Sequence, residues 1–157
     1  NRIKVFISVF GFGCLAASWA GCAETTYLIQ MTVPADPDAA ERVAPQPYPM
    51  GMPISEPKDI VIVRTGRTIR LLNRTAESYD NATLWLNYQY GARIPSIPIG
   101  ASSLINLDAF VNQHGEAYPT GWILEPELSR PVTAADLVLE DQMHKLSVEL
   151  EDQWRTD

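Results

Sequence analysis

The sequence predicts a small all-β domain built as a β-sandwich. Three observations predict this class. Short β-branched or alternating runs recur after residue 58, and Gly, Asn and Pro residues separate them. The runs also follow one another at intervals of about eight to twelve residues, which is the spacing of short strands joined by turns. The chain has 157 residues, which is enough for one domain with a core of its own.

The first two predicted strands lie just after the proline-rich part of the chain. The β-branched run Asp59–Arg64 is bounded by Pro57 and Gly66, which is typical of a buried strand. After a tight turn at Gly66, the alternation of polar and apolar residues over Arg67–Leu71 predicts a strand with one solvent face. A polar loop is expected over Asn73–Asn81.

Residues 82–90 carry the clearest strand pattern. Ala82, Leu84, Leu86, Tyr88 and Tyr90 fall on one face, and Thr83, Trp85, Asn87 and Gln89 fall on the other. This period of two predicts one continuous strand that ends at Gly91.

Further short strands are expected towards the C-terminus. Pro95 and Pro98 interrupt the next stretch, after which Ser103–Val111 alternates again. A turn over Asn112–Glu116 and a short strand over Gly121–Leu124 follow.

The pattern near the C-terminus fits two structures. Ala135, Leu139, Met143, Leu146 and Leu150 would share one face of a helix. Leu146–Glu151 also alternates strictly, so that Leu137–Leu139 could pair with it through a turn within Gln142–Lys145. We favour the hairpin and keep the helix as the alternative.

The stretch Thr68–Leu107 resembles the FxLYD-type immunoglobulin-like domains of bacterial envelope proteins. The shared pattern is a strand ending at Asn73-Arg74-Thr75, a turn at Ser78–Asn81, the strand at 82–90 and the small residues Gly100–Ser103. The resemblance implies an immunoglobulin-like sandwich.

The N-terminus has the layout of a secretory signal over residues 1–21. Arg2 and Lys4 precede an uncharged, mostly apolar run, Val5–Ala20, which is shorter than the roughly 20 residues of a membrane-spanning helix. Trp19-Ala20-Gly21-Cys22 resembles the lipobox of bacterial lipoproteins. This implies a diacylglycerol on the Cys22 thiol, and Ala23 in place of Asp implies the outer membrane. The alternatives are simple secretion, with cleavage after Ala20, and an uncleaved anchor.

Residues 22–57 are expected to be a proline-rich tether, so that the folded domain is residues 58–157. Prolines recur from Pro34 to Pro57, and each fixes φ and removes an N–H. An extended spacer that lifts the domain off a membrane is the simpler interpretation. A peptide ligand at Pro45–Pro49 is the alternative.

Charge and residue types narrow the function. The net charge of −7 argues against nucleic acid as a partner. Cys14 and Cys22 both precede the domain, and His114 and His144 have no second ligand at metal spacing, so both are interpreted as turn residues. No metal site and no cofactor are expected.

Acidic residues are frequent late in the chain. They are Glu125, Glu127, Asp136, Glu140, Asp141, Glu149, Glu151 and Asp152. Two of them could serve a carboxylate-dependent hydrolase of envelope polymers. A solvated acidic face is the simpler interpretation.

Trp85 is the leading candidate for a binding residue. If the polar face of the strand at 82–90 is open, Trp85 with Asn87 and Gln89 would form a platform for a glycan or a peptide. The alternative is that a loop or a second sheet covers Trp85. Trp122 and Trp154 are weaker candidates.

We therefore expect a non-enzymatic binding or scaffolding protein of the cell envelope. It would be held to the membrane by its lipid and would partner another envelope protein or a glycan.

Overall fold

The chain folds into strands and turns. The computed structural model describes residues 36, 39–121 and 129–149. The strands are β1 (Glu41–Arg42), β2 (Ile54–Ser55), β3 (Ile60–Thr65), β4 (Thr68–Asn73), β5 (Tyr79–Leu86), β6 (Tyr90–Ile97), β7 (Ser102–Asn106), β8 (Ala135–Leu139) and β9 (Gln142–Glu149), with one 3-10 turn at Leu107–Ala109. The predicted all-β class is confirmed.

One hydrogen-bonded sheet contains all nine strands. Its order is β1-β6-β5-β8-β9-β3-β4-β7, and β2 pairs with β9 beside this path. Strand β9 joins the two halves, because its first residues pair antiparallel with β8 and its last residues, from Ser147, pair parallel with β3. The sheet is therefore continuous and curled. The two separate sheets of an immunoglobulin-like sandwich stay a prediction.

The two ends of the sheet order meet. Past β7, Val111 exchanges two backbone hydrogen bonds with Gly91 of β6, of 2.9 and 3.1 Å. On the N-terminal side, the amide of Asp36 donates to Leu104 of β7 and β1 pairs with β6. These contacts bridge the edges that a curled sheet would otherwise leave unpaired.

A single core lies inside the curl. It takes apolar side chains from β3 to β8 and from the loops around Phe110, Tyr118 and Val132. Alternate residues of the longer strands point inward, as in Ile60 and Ile62 of β3, because successive side chains on a strand point to opposite faces.

The first two predicted strands are confirmed as the β3–β4 hairpin. Its two-residue turn places Gly66 at φ +58°, where glycine is preferred because it has no Cβ. The strand expected over Ser103–Val111 ends earlier, at Asn106, where the 3-10 turn begins. The predicted strand at Gly121–Leu124 lies outside the described residues apart from Gly121.

The single strand predicted over residues 82–90 is wrong. The chain turns at Asn87–Gln89, and the two arms, β5 and β6, pair with each other. Leu86 and Tyr90 are direct partners and both face the core. Three residues separate them, so the even spacing of inward residues continues through the turn and imitates one strand.

Pro95 does not interrupt a strand as expected, because it lies inside β6. The pairs on either side of it are Ala82 with Ile94 and Asp80 with Ser96. Asn81, opposite Pro95, has a φ of +54°. The regular pairing of β5 with β6 is therefore interrupted opposite Pro95, as is typical of a proline within a sheet.

The C-terminal segment is the predicted hairpin, not the helix. Strand β8 pairs with β9 from Ala135 with Leu146 to Leu139 with Gln142. The turn consists of Glu140 and Asp141, both at positive φ, which is the pattern of a two-residue type I′ turn. It therefore lies two residues before the turn region that the sequence indicated.

The second half of the expected tether belongs to the domain. Residues 41–42 pair with β6, residues 54–55 pair with β9, and the compact unit that contains the sheet begins at Val33. The boundary expected at residue 58 is therefore too late. Proline prevents a long ladder, but two-residue strands between the prolines still form, and the segment between them packs on the sheet.

Candidate functional site

The segment between β1 and β2, residues 43–53, crosses the outer face of the sheet, and we call it the strap. It is fixed at both ends by strand pairing, and the amide of Met143 in β9 donates to the carbonyl of Pro53 at 2.9 Å. The strap brings Tyr48 over strands β5 and β8. An element expected to be a spacer thereby becomes part of a surface.

Trp85 lies beneath the strap and is only 2% exposed. The Tyr48 ring meets the Trp85 indole edge to face, with 5.5 Å between centroids and 88° between planes. On the other side, an added Cβ at Gly91 would lie 3.2 Å from the indole. The strap therefore covers Trp85, as the alternative interpretation expected, and the open platform that depended on an exposed Trp85 is absent.

Tyr48 is also held by a buried carboxylate. Its hydroxyl donates to Oδ2 of Asp136 at 3.0 Å and lies 2.9 Å from Sδ of Met143. Asp136 is 2% exposed. Burial, followed by the hydrogen bond to Asp136, raises the pKa of Tyr48 above its ordinary value of 10. The hydroxyl therefore stays protonated, and remains a donor, to higher pH than a free tyrosine.

The turn between β5 and β6 holds Asn87 and Tyr88 in a left-handed conformation, with φ of +52° and +58°. The amide of Gln89 donates to the carbonyl of Leu86 at 3.1 Å, which completes the pattern of a type I′ turn. Glycine is the usual second residue of such a turn, because a Cβ is disfavoured there. Tyr88 occupies this position, and its side chain is half-exposed, at 51%.

Asn87 anchors this turn through its side chain. Its amide nitrogen donates to the Tyr118 hydroxyl at 2.9 Å and to the carbonyl of Pro131 at 2.8 Å. Its amide oxygen accepts from the backbone of Thr133 and Ala134 at 2.8 and 3.2 Å. The Asn87 side chain therefore stabilises the turn, because both ends of its carboxamide are hydrogen-bonded within the protein.

An open cleft of about 530 Å³, which we call the Tyr88 cleft, lies between the turn and the strap. Its strap wall contains Pro47, Tyr48 and Met50, and the opposite wall contains Tyr88, Gln89 and Gln113. The Tyr48 and Tyr88 rings meet nearly at right angles, with centroids 5.5 Å apart. The volume is in the range of small-molecule sites.

The structure divides the predicted binding surface. Asn87 and Gln89 line the Tyr88 cleft, whereas Trp85 lies behind Tyr48. Sequence reasoning missed Tyr48, Tyr88 and Gln113 as surface partners. Proline-flanked Tyr48 was the one available signal, since the stretch Pro45–Pro49 is typical of a peptide that lies on aromatic side chains.

The two histidines have different places. His114 lies in the exposed turn after Val111, as expected. His144 is not a solvated turn residue, because it lies inside β9, is buried, and has Nδ1 2.8 Å from the carbonyl of Glu56. Glu56 belongs to the segment that connects β2 to β3, so this contact links β9 to that segment. Within the described ranges, no group of three or more His, Cys, Asp or Glu side chains could hold a metal ion.

The acidic residues within the described structure occupy separate places. Asp136 lies under Tyr48, Glu140 and Asp141 form the exposed hairpin turn, and Glu149 lies 3.8 Å from Arg74 at the end of β9. Glu125, Glu127, Glu151 and Asp152 lie outside the described residues. Apart from the adjacent Glu140 and Asp141, these four carboxylates lie at different places in the sheet, and the hydrolase alternative stays a prediction.

The remaining candidates, Cys22, Trp122 and Trp154, lie outside the described residues, as does the whole signal segment. Among the residues that are described, no helix has the length and apolarity required to cross a membrane. The chain matches no protein-family model, no curated protein and no solved structure.

Proposed function

We propose that the protein is a lipid-anchored cell-envelope protein, at the outer membrane, whose domain binds another envelope component without catalysing a reaction. The lipobox-like Trp19–Cys22 supports the anchor, and the Tyr88 cleft supports the binding role. The single observation that carries the binding role is the exposed Tyr88 ring on a turn that its neighbours hold in place.

Hydrogen bonds within the protein hold the residues that form the walls of the Tyr88 cleft. The turn is fixed by the four hydrogen bonds of Asn87 described above, and the opposite wall is fixed by Tyr48 on Asp136. Both walls are therefore held by hydrogen bonds within the protein. Such preorganisation lowers the entropy cost of binding.

Binding is tested by nuclear magnetic resonance of the full chain in detergent micelles. Soluble envelope glycan fragments and envelope-derived peptides are added separately, and backbone amide shifts are followed. We expect shifts at Met50, Tyr88 and Gln113. The signal of Ile99, an exposed residue on the loop after β6, is the control and should not move. Absence of shifts at the cleft with every ligand would refute the binding role.

The anchor is tested independently. Mass spectrometry of the mature protein should show an acylated N-terminal Cys22, and Cys22→Ser should release the protein from membranes. Cys14→Ser is the matched control and should leave the protein membrane-bound. An unmodified mature N-terminus at Gly21 would contradict lipidation.

A further inference from the structure

The Tyr88 cleft combines apolar and polar groups without charge. The residues that line it are Pro47, Tyr48, Met50, Asn87, Tyr88, Gln89 and Gln113, and none of them carries a charged side chain. The net charge of the chain is −7. A polyanionic ligand would meet this overall repulsion, and the Arg130 guanidinium beside the cleft is already bound to Gln89.

The polar groups of the cleft are carboxamides that are already oriented. Gln89 accepts a hydrogen bond from Arg130 at 2.7 Å through Oε1, which directs its amide nitrogen away from that contact. Gln113 has Nε2 3.0 Å from the His114 ring nitrogen, which leaves its oxygen as an acceptor. The lining therefore offers an amide donor at Gln89 and an amide acceptor at Gln113 beside an aromatic ring. Such a pair matches the hydroxyl groups of a sugar, each of which both donates and accepts.

The Tyr88 ring supplies the apolar part. It occupies the turn position where glycine is preferred, so the turn gives up stability to present an aromatic side chain. Residues held in sparsely populated conformations cluster at functional sites. Half of the side chain is exposed, and Met50 opposite is 88% exposed, so the ring can stack against the C–H face of a sugar.

We infer that the Tyr88 cleft binds an uncharged saccharide, which stacks on Tyr88 and hydrogen-bonds to Gln89 and Gln113. This inference rests on the proposed function and names its ligand class. A proline-rich peptide is the competing ligand, because the rings of Tyr48 and Tyr88 could also accept proline side chains.

The test titrates the full chain in detergent micelles with four probes. These are short oligomers of glucose, short oligomers of N-acetylglucosamine, a sulfated heparin oligosaccharide and a proline-rich peptide with the sequence of residues 43–53. We expect at least one of the two uncharged oligomers to shift the amide signals of Tyr88, Gln89 and Gln113, with an affinity that added salt leaves unchanged.

Variants separate stacking from folding. Tyr88→Gly should weaken saccharide binding by about tenfold or more while the domain remains folded, because glycine suits the turn. Tyr88→Phe should keep most of the affinity, and Gln113→Ala should weaken it without touching the turn. Ile99→Ala, an exposed apolar residue on another loop, should leave binding unchanged.

The outcomes are distinct. Binding of the peptide at the cleft with neither uncharged oligomer bound would overturn the saccharide inference and leave the proposed binding role standing. Salt-sensitive preference for the sulfated oligosaccharide would also overturn it. If no probe shifts the amide signals of the cleft residues, the saccharide inference fails. The proposed binding role fails as well only if the envelope glycan fragments and peptides also leave these signals unchanged.

Discussion

The Tyr48 hydroxyl reaches across 88 residues of sequence to donate a hydrogen bond to the buried carboxylate of Asp136. The bond fixes the centre of the strap, and the strap forms one wall of the Tyr88 cleft. It also satisfies a charge-bearing group that the fold has removed from water.

Removing this hydroxyl should be costly. Tyr48→Phe leaves Asp136 without that donor, and we expect the free energy of unfolding to fall by about 1.5–3 kcal/mol. Urea unfolding followed by circular dichroism measures it. Tyr88→Phe is the matched control and should change stability by under about 0.5 kcal/mol, as exposed substitutions usually do. Equal effects in the two variants would contradict the role given to the bond.

Stability should fall in strong alkali. Burial raises the pKa of Tyr48, and burial also raises the pKa of Tyr118. A folded-state pKa above the unfolded value of 10 gives a stabilisation that is fully present below pH 10 and is lost as the pH rises towards the folded value. The free energy of unfolding, measured in urea at a series of pH values, should therefore decline above pH 10.

The pH series has its own control. Tyr48→Phe should decline less steeply than the parent chain over this range, because it lacks one of the two tyrosines whose pKa is raised. A parallel decline in both proteins would show that Tyr48 does not contribute.

Both faces of β5 should matter for stability. Leu86 faces the core and is fully buried, and Trp85 is 2% exposed on the opposite face. We expect Leu86→Ala to cost about 2–5 kcal/mol and Trp85→Ala about 3–5 kcal/mol in thermal or urea unfolding. A small loss at Trp85 would mean that the strap does not pack on it in solution.

Gly91 leaves room for the Trp85 indole. A methyl group at Gly91 would lie 3.2 Å from two ring carbons, so Gly91→Ala should push the indole towards the strap and cost about 1–3 kcal/mol. Gly51→Ala is the matched control, since an added Cβ there meets no atom within 4 Å. Thermal unfolding of the two variants should differ clearly, and equal melting temperatures would contradict the contact.

The sequence pattern predicted the hairpins because the strands that pair in them are neighbours in sequence. The β3–β4 hairpin follows from a β-branched run and Gly66, and the C-terminal hairpin follows from strict alternation over Leu146–Glu149. In both cases the neighbours in sequence are the partners in the sheet, so periodicity and turn residues contain the needed information.

The candidate site was harder to predict because its parts are distant in sequence. Alternation indicated that Trp85 faces away from the core, but only the contact with Tyr48 decides that it is covered. Proline frequency correctly excluded long strands in residues 43–53, yet it carries no information about packing. The turn at Asn87 was hidden because Leu86 and Tyr90 keep the spacing of one strand.

Strand β9 is the last strand of the described chain, and yet it is central in the sheet, where it pairs with β8, β2 and β3. During synthesis, β3 must therefore wait for nearly ninety further residues before Val61 can pair with Ser147. Contacts so distant in sequence slow folding, because chain entropy is lost before they form. The sheet of the described chain therefore stays incomplete until β9 has been synthesised and has paired with β3 and β8.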